Sequence, residues 1–168
     1  SSVNSRHHPP HHNRKGGIVR HLTECCIMAP RLLAMYGFSK KEVKQEKLDS
    51  RAFDIVLAAT LITDTWKNGN PWKDRTLENH GEIAADAWLP YSTKYHVPAD
   101  MTSAIYHAVW WHYGRYTPSK MPNELVSLPV LTQIVHLLDA ISSSNEIQLL
   151  YTAVPKIAVG KSIGVEPQ

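Results

Sequence analysis

The chain has 168 residues, 43% of them hydrophobic and 20% charged, with a formal charge of +3, a make-up that suits one globular domain with one core. It holds no apolar run near the roughly 20 residues that span a bilayer and no dense basic tract of the kind that marks a nucleic-acid arm. Its two cysteines, Cys25 and Cys26, are adjacent, which argues against both a mutual disulfide and a spaced Cys zinc site, so a reduced, cytoplasmic setting is the expectation.

Residues 1–16 have no hydrophobic period and read as an N-terminal loop, held extended by Pro9 and Pro10. Four histidines, His7, His8, His11 and His12, crowd into it. Such a loop can lie over a site or bind adventitious metal. Gly16-Gly17 then punctuate the start of a helix over 18–36, which Pro30 should kink or split. Residues 38–50 are polar and predict a connection with one short helical turn. The Lys-rich stretch Lys40 to Lys47 alternates with Glu42 and Glu46 and reads as a solvated face.

Residues 51–67 are apolar nearly all round, which predicts a central helix buried on most sides and stopped by Asn68-Gly69-Asn70-Pro71. A helix over 77–88 should end at Pro90, and another should run from Pro98 and Asp100 to Gly114. Ser127 and Pro129 look like the N-cap and first turn of a last helix reaching about Ser143. The extension 145–168 accommodates a short helix and an extended segment. The class is all-α: a single domain over 1–168 with a helical core at 17–144.

Polar residues inside apolar helices carry the information. Asp64 follows Leu61 and Ile62, and Asp139 follows Leu137 and Leu138; a carboxylate so placed must be paired, hydrogen-bonded or metal-bound. His21, His80, His107 and His112 stand in other helical segments. Any one of these side chains alone more often packs or pairs than ligates. Together, imidazoles and carboxylates that converge in a bundle suit a divalent transition metal, Mn, Fe, Co, Ni or Zn.

Taken in order, five segments resemble the HD-domain superfamily of metal-dependent phosphohydrolases. HHPPHHNRKGGIVRH resembles the family's opening segment, with a Gly-Gly pair shortly before the first ligand His, here His21. LAATLITDTWKNG resembles the name-giving segment: Asp64 and Lys67 match, but Thr63 stands where the family has His. ENHGEIAADAW places a further His at His80. YHAVWWHYG matches at His107 and His112, while Tyr113 replaces the second of a His pair. HLLDAISSS supplies the last Asp ligand, Asp139. The resemblance covers about residues 7 to 144, and the nearest type is the small, stand-alone one common in phage and bacteria.

The resemblance implies a bundle of about five helices around a metal held by His21, Asp64 and Asp139. His80, His107 and His112 would hold a second metal or contact phosphate and aid catalysis. Lys67 matches a residue that faces the substrate phosphate. Arg115, by charge and position, is a second candidate phosphate contact, and Trp111 and Tyr113 belong to an aromatic strip suited to stacking a base. The implied activity is hydrolysis of a nucleotide-type phosphoester on a small phosphorylated substrate, with no membrane partner. Two alternatives stand beside it: a metal-poor, catalytically impaired domain that binds a nucleotide or partner, because Thr63 is a poor ligand, and a 3′-end nuclease on single strands.

Overall fold

A computed structural model describes residues 8–13, 15–42, 45–69, 71–119 and 128–144. The expectations for His7, Ser127 and the 145–168 extension lie outside the described residues. Among the described residues, five α-helices form the bundle: α1 (Gly17–Met35), α2 (Ser50–Thr63), α3 (His80–Lys94), α4 (Ala99–Trp110) and α5 (Val130–Ser143). The all-α class is as the sequence predicts. Helix α2 packs against each of the other four, which is why it is apolar nearly all round. The core is built from Leu33 of α1, Val56 and Ala59 of α2, Ala84 and Ala85 of α3, Ile105 and Val109 of α4, and Ile134 and Leu138 of α5. The alanines let the backbones approach closely where α2, α3 and α4 meet. Among the described residues, no helix is long and apolar enough to cross a membrane.

Several local expectations change. Among the described residues of 38–49 there is no helical turn; an antiparallel hairpin, β1 (Ser39–Glu42) and β2 (Gln45–Leu48), pairs Ser39 with Leu48 and Glu42 with Gln45. A charged four-residue strand shows no apolar alternation, so period two was invisible there. The side chains of Lys40–Lys47 lie outside the described set. Pro30 and Pro90 both sit inside continuous helices. A helix-interior proline costs about 3 kcal/mol, and burial on both sides of it offsets that: Cys25, Ala29 and Leu33 around Pro30, Ala84, Ala85 and Ser92 around Pro90.

Two helix ends fall earlier than predicted, and both matter for the site. Helix α2 stops at Thr63, and the chain turns through Asp64 to Gly69 on bonds from the Thr65, Lys67 and Gly69 amides to the Ile62, Asp64 and Trp66 carbonyls. Helix α4 stops at Trp110, then a turn leads into a single 3-10 turn at Gly114–Tyr116. Asp64 and His112 therefore leave their helices just where the bundle interior opens. At the start of α2, the Asp49 side chain caps the helix by accepting from the Arg51 and Ala52 amides at 3.0 and 3.1 Å.

Candidate metal centre

Asp64, in the turn after α2, is the hub. Its side chain is 1% exposed. Lys67, three residues on, donates to both carboxylate oxygens at 3.1 and 3.0 Å. His80 Nε2 lies 3.4 Å from one oxygen and His21 Nε2 lies 3.7 Å from the other. Burial alone raises a carboxyl pKa; the Lys67 ammonium, with His80 and His21, outweighs it and holds Asp64 well below the usual range.

His80 opens α3 and His112 follows α4. Their Nε2 atoms face each other at 3.1 Å. The other nitrogen of each ring is already committed: His80 Nδ1 donates to the Leu77 carbonyl and His112 Nδ1 to the Val109 carbonyl, both at 2.7 Å. A carbonyl only accepts, so each Nδ1 carries a proton and each ring turns its Nε2 toward the other. Burial, then the neighbouring His80, lowers His112 to about 4, so His112 is neutral at pH 7. Two imidazole nitrogens facing each other in a buried gap call for a shared proton or a cation between them. An imidazole whose Nδ1–H is held by a backbone carbonyl is the usual preparation of a metal ligand.

His21 of α1 is prepared in the same way. Its Nδ1 meets Ser142 Oγ at 2.9 Å and its Nε2 meets Asp139 Oδ1 of α5 at 3.0 Å. Burial opposes protonation of His21, but the Asp139 bond outweighs it and pushes the ring up to about 11. Without metal, the proton on His21 thus stands between two carboxylates, where a cation would displace it. Asp139 is held low by His21 against its own burial.

The donors fall into two groups that share Asp64: His21, Asp64 and Asp139, and Asp64, His80 and His112. In each, one ligand atom per residue lies within 4.8 Å of the others. With metal–ligand bonds of about 2.0–2.1 Å, neighbouring ligand atoms sit about 3.0 Å apart in an octahedron and about 3.4 Å apart in a tetrahedron. The measured edges of 3.0, 3.1, 3.4 and 3.7 Å fit a centre that closes slightly around an ion. The donor set is nitrogen and carboxylate oxygen, which fits the transition metals expected from sequence.

The remaining site residues divide. Thr63 is buried, and its hydroxyl donates to the Thr60 carbonyl at 2.9 Å, back into its own helix. His107 is exposed on α4 with its ring against Tyr106, so it stands apart from the donors. Lys67, which the resemblance sets facing the substrate phosphate, is buried and bound to Asp64. Tyr113 packs edge-on to His80 and lines a cavity of about 300 Å³ with His8, Tyr116, His136, Asp139 and Ser143. Trp111 is not in that wall. Arg115 belongs to the 3-10 turn, its side chain outside the described set. A larger hollow of about 420 Å³ between α3 and α4, lined by residues such as Leu89, Thr93 and Val97, has no imidazole or carboxylate in its wall and offers no comparable chemistry.

Three participants were missed in the sequence. His136 opens the HLLD segment and shares the Asp139 face by its i, i+3 spacing; its Nδ1 donates to the His112 carbonyl at 2.7 Å. A Cβ on Gly114 would come within 2.5 Å of the His136 ring, at a backbone φ of +56°, so only glycine lets that imidazole into the wall. Glu24 and Ser142 were also missed. Ser142 Oγ donates to Glu24 Oε2 at 3.1 Å, and Glu24 accepts from His12 Nε2 at 2.9 Å and Arg20 Nε at 3.3 Å. These partners hold Glu24 down to about 2 despite its burial. Glu24 on α1 had a signal: it lies at i+3 from His21.

No protein-family model, curated protein or solved structure matches the chain.

Proposed function

We propose that this chain is a metal-dependent phosphohydrolase acting on a nucleotide-type phosphoester, as its resemblance to the HD-domain superfamily implies. The observation that carries the reading is the buried His80–His112 gap, with both Nδ1–H groups tied to carbonyls and both Nε2 atoms turned inward beside Asp64. His21, Asp64 and Asp139 would hold one divalent ion, and Asp64, His80 and His112 a second. When bound, such an ion polarises a phosphoryl oxygen and lowers the pKa of a water.

The chain's own residues do the rest. Lys67 fixes the orientation of Asp64 and is a positioning residue. Asp139, at the inner wall of the 300 Å³ cavity, joins the donors to the space where a substrate fits. Tyr113 and Tyr116, whose rings pack 5.8 Å apart, form an aromatic wall able to stack a base. His136 keeps Nδ1 on the His112 carbonyl, which leaves Nε2 to take up a proton from solvent and pass it to the leaving oxygen as water attacks phosphorus.

The test is hydrolysis of nucleoside mono- and triphosphates, cyclic nucleotides and short single strands. Protein loaded in turn with Mn, Fe, Co, Ni or Zn is used, with Asp64→Asn as control. Release of nucleoside or phosphate that Asp64→Asn abolishes supports the reading; no release with any ion overturns it. Turnover confined to 3′ ends would make it a nuclease. Thr63, whose hydroxyl is spent on its own helix, favours the second reading of an impaired domain that binds a nucleotide without turnover.

A further inference from the structure

The N-terminal loop repeats, with different residues, the preparation seen at His80 and His112. His8 and His12 are buried, although they belong to a loop rather than to a helix. They are held down because the loop folds back on α1: a Cβ on Gly17 would land on the His12 backbone carbonyl, so glycine is what allows the approach. His12 Nε2 donates to the ionised Glu24 at 2.9 Å, which leaves Nδ1 as the ring's other nitrogen. That Nδ1 faces His8 Nδ1 at 3.3 Å, the nitrogen–nitrogen spacing of a tetrahedral ion with bonds of about 2.0–2.1 Å. The far nitrogen of His8 has Ser143 Oγ at 3.4 Å to take its proton. His21 is the third ring, its centroid 5.0 Å from His8 and 5.2 Å from His12. One nitrogen from each of the three lies within 4.8 Å of the others.

We propose that His8, His12 and His21 form a nitrogen-rich cation site, built by the N-terminal loop, that supplies imidazole donors where α2 has only Thr63. Glu24 is its outer partner. It orients His12 directly and His21 through Ser142, the carboxylate–histidine arrangement that fixes a ligand's tautomer. Three imidazoles select borderline transition ions, Zn, Co, Ni or Cu, over Mg or Ca. The inference goes beyond the hydrolase reading and shares only His21 with it; with Nδ1 on Ser142, His21 Nε2 serves one ion at a time, so this site and the His21–Asp64–Asp139 group are alternatives for that ring.

The experiment counts metal, not turnover. Full-length protein, stripped with chelator, is titrated with Zn²⁺ or Co²⁺ alone. Bound equivalents and affinity are then compared for wild type, His8→Ala, His12→Ala, Glu24→Gln, His11→Ala and Asp64→Asn. The expected result is loss of one class of binding, at least tenfold in affinity, in His8→Ala and in His12→Ala. Glu24→Gln, which keeps the side chain's shape, should weaken the same class about 10- to 100-fold. Asp64→Asn should keep it, so the site stands or falls separately from hydrolysis. Unchanged equivalents and affinity in both His variants overturn the proposal. So does a loss in His11→Ala without one in His8→Ala, because the ion would then sit on the neighbouring His11, His12 and Glu24 group.

Discussion

Asp64 and Asp139 are the same residue in the same centre, yet they live in opposite regions. Asp64 sits at the blind end, 1% exposed, with both oxygens on Lys67. Asp139 sits at the open end, its side chain 16% exposed, in the wall of the cavity. A buried carboxylate with a buried ammonium is a structural commitment: removing one charge strands the other. A carboxylate at a cavity wall loses much less by neutralisation, because its own side chain is within reach of water. Both belong to the donor set, but only Asp64 should also hold up the fold.

The largest expected effect follows from the blind end. Asp64→Asn should abolish metal binding by the two groups that share Asp64 and destabilise by about 3–5 kcal/mol, because Lys67 is left buried without its counter-charge; thermal unfolding should register a drop of about 10 °C. Adding Lys67→Met should recover much of that stability and none of the metal. A double variant no more stable than Asp64→Asn alone would break the comparison.

Next comes pH, measured as thermal stability of metal-free protein kept in chelator. His112 titrates at about 4 in the fold against 6.5 when unfolded. The unfolded chain therefore binds the proton first, and stability falls as pH drops from 6.5 toward 4, by on the order of 3 kcal/mol. His21 is raised to about 11, so its contribution is full below 6.5 and is lost as pH rises above that. The two signs together place the maximum near pH 6.5. A profile that keeps rising to pH 9 would remove His21 from the centre.

A smaller effect belongs to the open end. Asp139→Asn should cost about 1–2 kcal/mol, the loss of a charge-assisted hydrogen bond to His21, while removing turnover and weakening metal binding. If its melting point falls as far as that of Asp64→Asn, the two ends do not differ as argued. The smallest effect is Thr63→Val, which keeps the shape and deletes one bond to the Thr60 carbonyl, at about 1 kcal/mol or less. Metal content should be unchanged; a drop would make Thr63 a ligand after all.

Much of this centre was legible in the chain, and for one reason. Charged or imidazole side chains amid apolar helix residues must find partners, so Asp64, Asp139, His21 and His80 stood out before any fold was known. His107 and His112 looked alike by that test, because both lie in YHAVWWHYG. Their difference came from where α4 ends: His107 is on its outer face, whereas His112 lies past Trp110, where the turn brings it inward. Glu24 and His136 were hidden by ordinary surroundings, a polar helix face and a segment valued for its Asp.

Sequence by itself determined what repeats locally: the helices, their apolar faces, the central place of α2, and the residue types able to hold a metal. Only the tertiary structure decided which nitrogens meet which oxygens. Helix periodicity sets a side chain's angle about its own axis, whereas a distance of 3 Å between residues 118 apart, as in His21 and Asp139, depends on how whole helices pack. The same packing folds the N-terminal loop onto α1 and makes buried donors of His8 and His12, which no periodic pattern marks.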